Sequence, residues 1–247
     1  MNLSYLYIYD QSLGHPREHK LLSKLEAHIL ELGIKGRIVR LSPLKNLREV
    51  VDDAIRQGVQ TIVAVGDDAT LNQVVTAVVP GRLIVGFIPI STKSNFARIF
   101  GLPPLEGAAD VVSARIIKTV DLGRANHSLF IDCAEIESPQ NTTIGFSQFS
   151  IDCVPGASAV IANIGFIWPK SGDSTFDPTD AKLDLLVVNS KGREIATHLP
   201  LTAATIRDRG NSSSVRLDGQ FIVKTPVQID VVPRALKIIV GSDRIFN

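Results

Sequence analysis

The sequence has little cysteine and little of the other residues that mark specialised protein classes. Its 247 residues include two cysteines, one methionine and one tryptophan. This composition excludes a disulfide-rich scaffold, and the separation of Cys133 and Cys153 matches no metal-binding motif. Both cysteines lie on predicted strands. We therefore expect buried free thiols in a cytoplasmic protein.

An excess of charge is also missing, as are long apolar runs. The 26 basic and 25 acidic side chains give a formal net charge of +1, which argues against a nucleic acid partner. No apolar run approaches the roughly 20 residues that span a bilayer. The start of the chain, Met1–Tyr5, has no charged segment before its first apolar residues. We therefore expect no signal peptide.

The most informative stretch is residues 61–78, which is typical of a strand, a polar turn and a helix. Residues 61–65 are β-branched and apolar, as in a strand buried on both faces. Residues 66–70 form the predicted turn. One apolar helix face follows at helical spacing, made of Leu71, Val74, Val75 and Val78. A helix that begins after such a turn directs free N–H groups outward, which is a common phosphate-binding geometry but also occurs without a ligand.

The N-terminal half predicts an α/β domain over residues 1–120. Strands are expected at residues 5–9, 37–41, 61–65 and 83–88. Helical apolar spacing separates them, and Pro80 and Gly81 are expected to end the third helix. This alternation predicts a doubly wound, mostly parallel sheet. Ligands of such sheets bind at the carboxyl ends of the strands, where the turn at 66–70 and the loop at 89–96 both fall.

Residues 121–247 lose the helical spacing and are expected to form a second, all-β domain. The expected strands are Ser128–Ile136, Thr143–Cys153, Ala157–Phe166, Leu183–Asn189, His198–Arg207, Ser213–Leu217, Phe221–Val223, Val227–Val232 and Leu236–Val240. Strands at this density with turn residues between them predict an antiparallel sandwich.

Several segments together resemble one known family. The residues G-D-D-A-T-L-N-Q-V-V from Gly66 resemble the G-G-D-G-T-L-N-E-V-V signature of the diacylglycerol kinase and lipid kinase superfamily. The residues P-I-S-T-K-S-N-F-A-R from Pro89 resemble the family's P-L-G-T-G-N-D-F-A-R. Further along, D-A-K-L-D from Asp180 resembles D-G-x-L-D, and the D-G-Q that ends at Gln220 resembles D-G-E.

The resemblance implies a kinase that uses ATP and Mg²⁺ to phosphorylate a lipid hydroxyl, such as that of diacylglycerol, in a cleft between the two domains. Such enzymes work at a membrane surface. The positions that match nucleotide-binding residues are Gly66, Asp67, Asp68, Ala69, Thr70, Asn72, Ser91, Thr92, Lys93 and Asn95. Asp68 and Gln220 match catalytic positions, and Asp180 and Asp184 match a metal-binding loop.

The chain departs from the family pattern at residues that the chemistry needs. Asp67 and Ala69 replace glycines of the phosphate turn, and Asp67 would bring a carboxylate close to a polyanion. Ser91 and Lys93 replace glycines of the second loop. Gln220 stands where the family has the glutamate implied to be the general base, and an amide cannot accept a proton at neutral pH.

Each matched residue also has an ordinary structural interpretation. Asp68 and Thr70 could simply cap a helix, and Lys93 could be a solvated surface side chain. Asp180 could form a hydrogen bond within its own turn. Asp218 and Gly219 could equally form a two-residue hairpin turn, in which Asp218 need not contact anything else.

Three functional interpretations follow from these observations. The first is a lipid-kinase-like protein whose phosphoryl transfer is impaired or lost. The second is an active kinase in which Asp67 and Asp68 hold an additional Mg²⁺. The third is a non-catalytic interaction module. Exposed edge strands of the second domain would also allow a homodimer.

Overall fold

The structure is a computed structural model, and it describes residues 5–14, 19–42, 46–78, 83–137, 139–168, 172–188, 195–210 and 213–246. The helix end expected at Pro80 and Gly81 lies outside these residues. The chain divides into two compact units. The first runs to Thr119 and includes Ala235–Ile245, and the second is Val120–Arg234. The predicted division had instead grouped residues 235–247 with the second domain.

The first unit alternates strands and helices. In chain order they are β1 (Tyr5–Tyr9), α1 (His19–Glu31), β2 (Gly36–Arg40), α2 (Leu47–Arg56), β3 (Thr61–Gly66), α3 (Asp68–Val78), β4 (Ile84–Pro89), α4 (Asn95–Phe100) and α5 (Glu106–Ala114). The sheet order is β2-β1-β3-β4, and all of these pairs are parallel. The end of the last strand of the chain joins β4, also in parallel, which explains why residues 235–245 group with this unit. The predicted doubly wound α/β fold is confirmed.

Burial follows the apolar patterns of the sequence. Every residue of β3 is buried, and the four apolar residues of the predicted α3 face are buried as well. Strand β2 is mostly exposed because it lies at the edge of the sheet. Helices α4 and α5 were not predicted. Helix α4 has only six residues, although Ser94 caps it and Phe96, Ile99 and Phe100 are buried at helical spacing.

The second unit consists mainly of strands. They are β5 (Ile117–Ala125, which begins in the first unit), β6 (Ser128–Phe130), β7 (Cys133–Glu137), β8 (Thr142–Gly145), β9 (Ser150–Asp152), β10 (Ser158–Ala162), β11 (Gly165–Trp168), β12 (Gly172–Thr175), β13 (Leu183–Val188), β14 (Ile195–Leu201), β15 (Ala203–Asp208), β16 (Ser214–Leu217), β17 (Phe221–Lys224) and β18 (Val227–Ile239).

Most of these strands form an antiparallel sandwich, and β11 and β12 form a separate two-stranded sheet. One sheet has the order β14-β13-β10-β7-β16-β17, and the other contains β18-β15-β8-β9. Ile144 and Ile206 from one sheet and Ile161, Leu185 and Val215 from the other belong to a single buried core. The predicted all-β sandwich is therefore confirmed.

The last strand differs from the expectation of two separate strands. Strand β18 is continuous, although Arg234 within it has a positive φ of 52°. The Arg234 N–H donates to Oδ1 of the fully buried Asp121 at 2.6 Å, and the Ala181 N–H donates to Oδ2 at 2.7 Å. Ala181 also has a positive φ, of 61°. A buried carboxylate thus stabilises two strained backbone positions.

Both cysteines are buried and free, as expected. Cys133 begins β7, whereas Cys153 lies just after β9 rather than on a strand. Burial raises the pKa of the Cys133 thiol well above its ordinary value, so the thiol stays protonated and unreactive. None of the helices in the described part of the chain has the length and apolar character needed to cross a bilayer.

Candidate functional site

The candidate site begins at the turn between β3 and α3, where Asp67 immediately precedes the helix. Its Oδ1 accepts hydrogen bonds from the Thr70 N–H and the Thr70 hydroxyl, each at 2.9 Å. Asp67 is therefore the helix N-cap, a role that the sequence had suggested for Asp68 or Thr70. Its carboxylate occupies the helix N-terminus, where an incoming phosphate would otherwise find free N–H groups.

A second carboxylate reaches the same threonine. Thr70 is fully buried, and its Oγ1 lies 3.0 Å from Oδ2 of Asp10, which follows β1. A hydroxyl has a single proton, so it donates to Asp10 and Asp67 in alternation. Gly66 makes this approach possible, because a Cβ at that position would lie 2.5 Å from Thr70 Oγ1 and 2.9 Å from the Cβ of Asp10.

Asp68 connects this turn with the loop that follows β4. One of its carboxylate oxygens accepts from the Ser94 hydroxyl, and the other accepts from the Asn95 N–H at 2.9 Å. The Ser94 oxygen in turn accepts from the Ala97 N–H at 2.9 Å and caps α4. The two predicted loops thus lie together at the carboxyl ends of β3 and β4, and Asp68 supplies the contact between them.

The remaining residues predicted to bind the nucleotide lie around these contacts. Ser91, Thr92 and Lys93 are exposed, and the Lys93 N–H donates to Ser91 Oγ at 3.1 Å. Ala69 is half-buried in the first turn of α3. Asn72 is 4% exposed, and its Nδ2 has no hydrogen-bond partner within the described ranges.

These contacts allow a test of whether the turn fits a nucleotide phosphate. Strand, turn and helix N-terminus have the required arrangement, and the unsatisfied Asn72 amide could donate to a ligand oxygen. However, the Thr70 N–H, the Ser94 hydroxyl and the Asn95 N–H already donate to carboxylates of the chain. A phosphate would have to displace Asp67 from the N-cap, so the turn as built does not fit one.

In the second unit, Gln220 lies in the hairpin between β16 and β17. Leu217 pairs with Phe221, so the turn has three residues rather than the predicted two. The Gln220 side chain is exposed, and its N–H donates to the Leu217 carbonyl at 2.9 Å. The residue at the position of the family's base is therefore an exposed amide.

Asp218, in the same turn, makes contacts that the hairpin-turn interpretation does not require. Its carboxylate accepts hydrogen bonds from the N–H groups of Ile131, Asp132 and Cys133 at 2.8 to 3.0 Å. Three backbone donors aimed at one carboxylate hold the turn against the segment that leads into β7. The local pattern contained no sign of this contact, because its partners lie more than 80 residues away in sequence.

The two residues predicted to bind a metal are engaged separately. Asp180 Oδ1 accepts from the Lys182 N–H at 2.9 Å, which is the turn interpretation of this residue. Asp184 Oδ1 lies 2.7 Å from His198 Nε2. No group of three or more His, Cys, Asp or Glu side chains suited to a metal occurs among the described residues. A bound Mg²⁺ at Asp180 and Asp184 stays a prediction.

Comparison with known proteins gives a consistent result. Residues 4–125 match the family model of the diacylglycerol kinase catalytic domain. The "Probable lipid kinase YegS-like" of Pseudomonas aeruginosa is 35% identical over 119 residues, which cover 47% of this chain and 39% of that protein. A diacylglycerol kinase of Bacillus subtilis is 38% identical over 77 residues, which cover 30% of this chain and 25% of that protein.

This chain thus spans about two fifths of the first relative and a quarter of the second. A solved structure of a diacylglycerol kinase from Bacillus anthracis str. Sterne superposes with a TM-score of 0.79 at 19% identity, over 97% of both chains. That likeness establishes the fold. The family match over residues 4–125 and the two sequence relatives place the chain in the diacylglycerol kinase and lipid kinase superfamily.

Proposed function

We propose that this protein is a lipid-kinase-like protein in which ATP-dependent phosphoryl transfer to a lipid hydroxyl is strongly impaired or lost. The observation that carries the proposal is the Asp67 carboxylate at the N-terminus of α3, bonded to the N–H and the hydroxyl of Thr70. In a working phosphate turn these donors would be available to the nucleotide.

Electrostatics and the missing base point in the same direction. Two unit charges of like sign about 4 Å apart repel by roughly 1 kcal/mol in bulk water and by about 4 kcal/mol near a protein surface. Asp10, Asp67 and Asp68 all direct carboxylates into the turn region. A positioned general base contributes typically about 10²- to 10⁴-fold to the rate, and Gln220 cannot act as one.

In active relatives ATP would supply the phosphoryl group and Mg²⁺ would offset the charge of its phosphates. In this chain the amide of Asn72 and the side chain of Lys93 would be the remaining donors for a nucleotide, since the Thr70 N–H already donates to Asp67. Asp180 and Asp184 would be the carboxylates available to a metal. A diacylglycerol-type lipid, bound at a membrane surface, is the ligand class that we assign.

The alternative of an active kinase, with Asp67 and Asp68 on an additional Mg²⁺, makes a different prediction. Both oxygens of Asp68 already accept hydrogen bonds from the loop after β4, and a metal would have to replace them. If that alternative is correct, Asp68→Ala abolishes turnover. Under our proposal the same change leaves an already negligible turnover unchanged and lowers stability.

The test is nucleotide binding followed by a kinase assay. ATP and ADP are titrated with and without Mg²⁺ while thermal unfolding is followed. A ligand at 100 times its Kd adds about 2.7 kcal/mol to the free energy of unfolding. We expect no shift at millimolar nucleotide and no ATP-dependent phosphorylation of dispersed diacylglycerol. A Mg²⁺-dependent shift together with robust turnover would reject the proposal.

A further inference from the structure

The second unit exposes an aromatic hairpin tip with no charge. Residues 146–149, which connect β8 to β9, read Phe-Ser-Gln-Phe and are called the hairpin tip below. The Phe146 N–H donates to the Phe149 carbonyl at 2.8 Å, and the two rings stack with centroids 4.7 Å apart. Tight connections usually carry Gly, Asn, Asp or Ser, so two phenylalanines at the ends of this one are unusual.

The two rings differ in their surroundings. Phe146 is half-buried and packs against the sandwich core, whereas Phe149 is 52% exposed. Packing against the core explains why residue 146 is aromatic. It does not explain why residue 149, which is exposed, is also a phenylalanine. An exposed aromatic ring that is held in place by a partly buried neighbour presents apolar area at little cost in side-chain entropy.

Two grooves lie beside the hairpin tip. One has a volume of about 290 Å³, and its lining includes Phe149, Leu199, Leu201 and Lys182. The other, of about 260 Å³, is lined in part by Arg207. Phe146, Ser147 and Ala203 line both, so the grooves adjoin.

The charged side chains that line the two grooves have one sign. Lys182 and Arg207 are both exposed, and none of the described residues that line either groove is acidic. An apolar tip beside cations is complementary to an anionic lipid surface, where apolar groups enter the headgroup layer and cations meet phosphates.

We propose that the hairpin tip and its two grooves form a docking surface for an anionic membrane. Phe149 enters the headgroup layer, and Lys182 and Arg207 contact lipid phosphates. The inference rests on the proposed function in one respect, because a lipid-kinase-like protein meets its ligand at a bilayer. It requires neither ATP binding nor turnover.

The test is sedimentation of the whole chain with phosphatidylcholine vesicles, with and without phosphatidylglycerol, in the absence of nucleotide. We expect binding that needs phosphatidylglycerol and weakens with salt. Phe149→Ser should weaken it about tenfold through lost apolar burial. Phe221→Ser is the matched control, because Phe221 is 44% exposed on the edge strand β17 of the other sheet.

The charge contribution is tested in the same way. Lys182→Gln and Arg207→Gln should each weaken binding about fivefold, in line with the usual contribution of one basic residue near an anionic surface. Lys224→Gln, which removes an exposed charge from β17, should have little effect. Thermal unfolding of each variant verifies that it is folded.

Two results would overturn the inference. One is equal binding to vesicles with and without phosphatidylglycerol, and the other is an equal loss for Phe149→Ser and Phe221→Ser. If a short-chain phosphatidylglycerol bound as a monomer as tightly as vesicles do, the surface would be a groove for single lipids, and membrane docking would be rejected. Robust turnover on dispersed diacylglycerol would contradict only the proposed function, whereas the vesicle results bear only on the docking surface, so the two failures are distinguishable.

Discussion

Replacement of Asp67 should restore nucleotide binding. Comparison of two replacements shows whether the charge of Asp67 or its side chain as a whole prevents binding. Asparagine caps helices about as well as aspartate, so Asp67→Asn keeps an oxygen for the Thr70 N–H and removes only the charge. Asp67→Gly removes both the charge and the side chain. Glycine at an N-cap costs only a few tenths of a kcal/mol, so both variants should remain folded.

The size of the effect follows from the position of the carboxylate. Asp67 is exposed, so its repulsion of a phosphate should lie between about 1 and 4 kcal/mol. A difference of about 1.4 kcal/mol is a factor of ten in Kd, so the charge alone accounts for roughly 5- to 1000-fold. Asp67→Asn should recover this factor. Asp67→Gly should recover more, because the helix N-terminus is then open.

The assay is titration of Mg²⁺-ATP by calorimetry, with Asp52→Asn as the control. Asp52 is an exposed acid on α2, so its replacement changes the net charge equally without altering the turn. We expect the order of affinity to be Asp67→Gly, then Asp67→Asn, then wild type, with Asp52→Asn equal to wild type. The reasoning is refuted if neither Asp67 variant binds Mg²⁺-ATP more tightly than wild type does.

Three further predictions concern stability and pH. Asp218→Ala should lower the free energy of unfolding by about 2–3 kcal/mol, since three N–H groups lose their charged acceptor, whereas Asp180→Ala should cost under about 1 kcal/mol in the same urea titration. Gly66→Ala should destabilise the first unit by more than about 1 kcal/mol because its Cβ would meet atoms at 2.5 and 2.9 Å; an unchanged unfolding midpoint would contradict this. The Asp110 carboxylate accepts a hydrogen bond from the His28 ring and raises the pKa of His28. The stabilisation from this pair is therefore present below the ordinary pKa of about 6.5 and is lost as pH rises through the folded value. The melting temperature of wild type minus that of His28→Gln should therefore fall as the pH rises above about 6.5. A difference that rose with pH would contradict this reasoning.

The sequence was sufficient for the fold because the fold depends on repeated apolar spacing. The apolar face of α3 and the buried run of β3 each involve several residues, so one irregular position does not change the prediction. The sequence predicts two strands in place of β18, because the strand pattern is interrupted at Pro233 and Arg234. A long-range bond from the buried Asp121 keeps the strand continuous there, and no local pattern contains such a bond.

The candidate site was predictable in position but not in detail. The turn at residues 66–70 lies where the strand and helix pattern placed it. Which acid caps the helix depends on the residue at which α3 begins, and element ends are uncertain by a residue or two from sequence alone. The partners of Asp68 and Asp218 lie 26 and more than 80 residues away, so only the folded chain reveals them. By contrast, the hydrogen bond of Asp180 spans only two residues, so the local sequence favours it without knowledge of the fold.

The carboxylates of the turn connect stability with binding. Asp67 and Asp68 accept hydrogen bonds from groups at the start of α3 and α4. A glycine-rich turn leaves such donors to water until a phosphate arrives, so the ligand gains their full interaction. When the chain supplies the acceptors itself, a phosphate gains only the difference between its own bonds and those it breaks. The same two acids should thus stabilise the free protein and weaken nucleotide binding, and removal of either should shift the two properties in opposite directions.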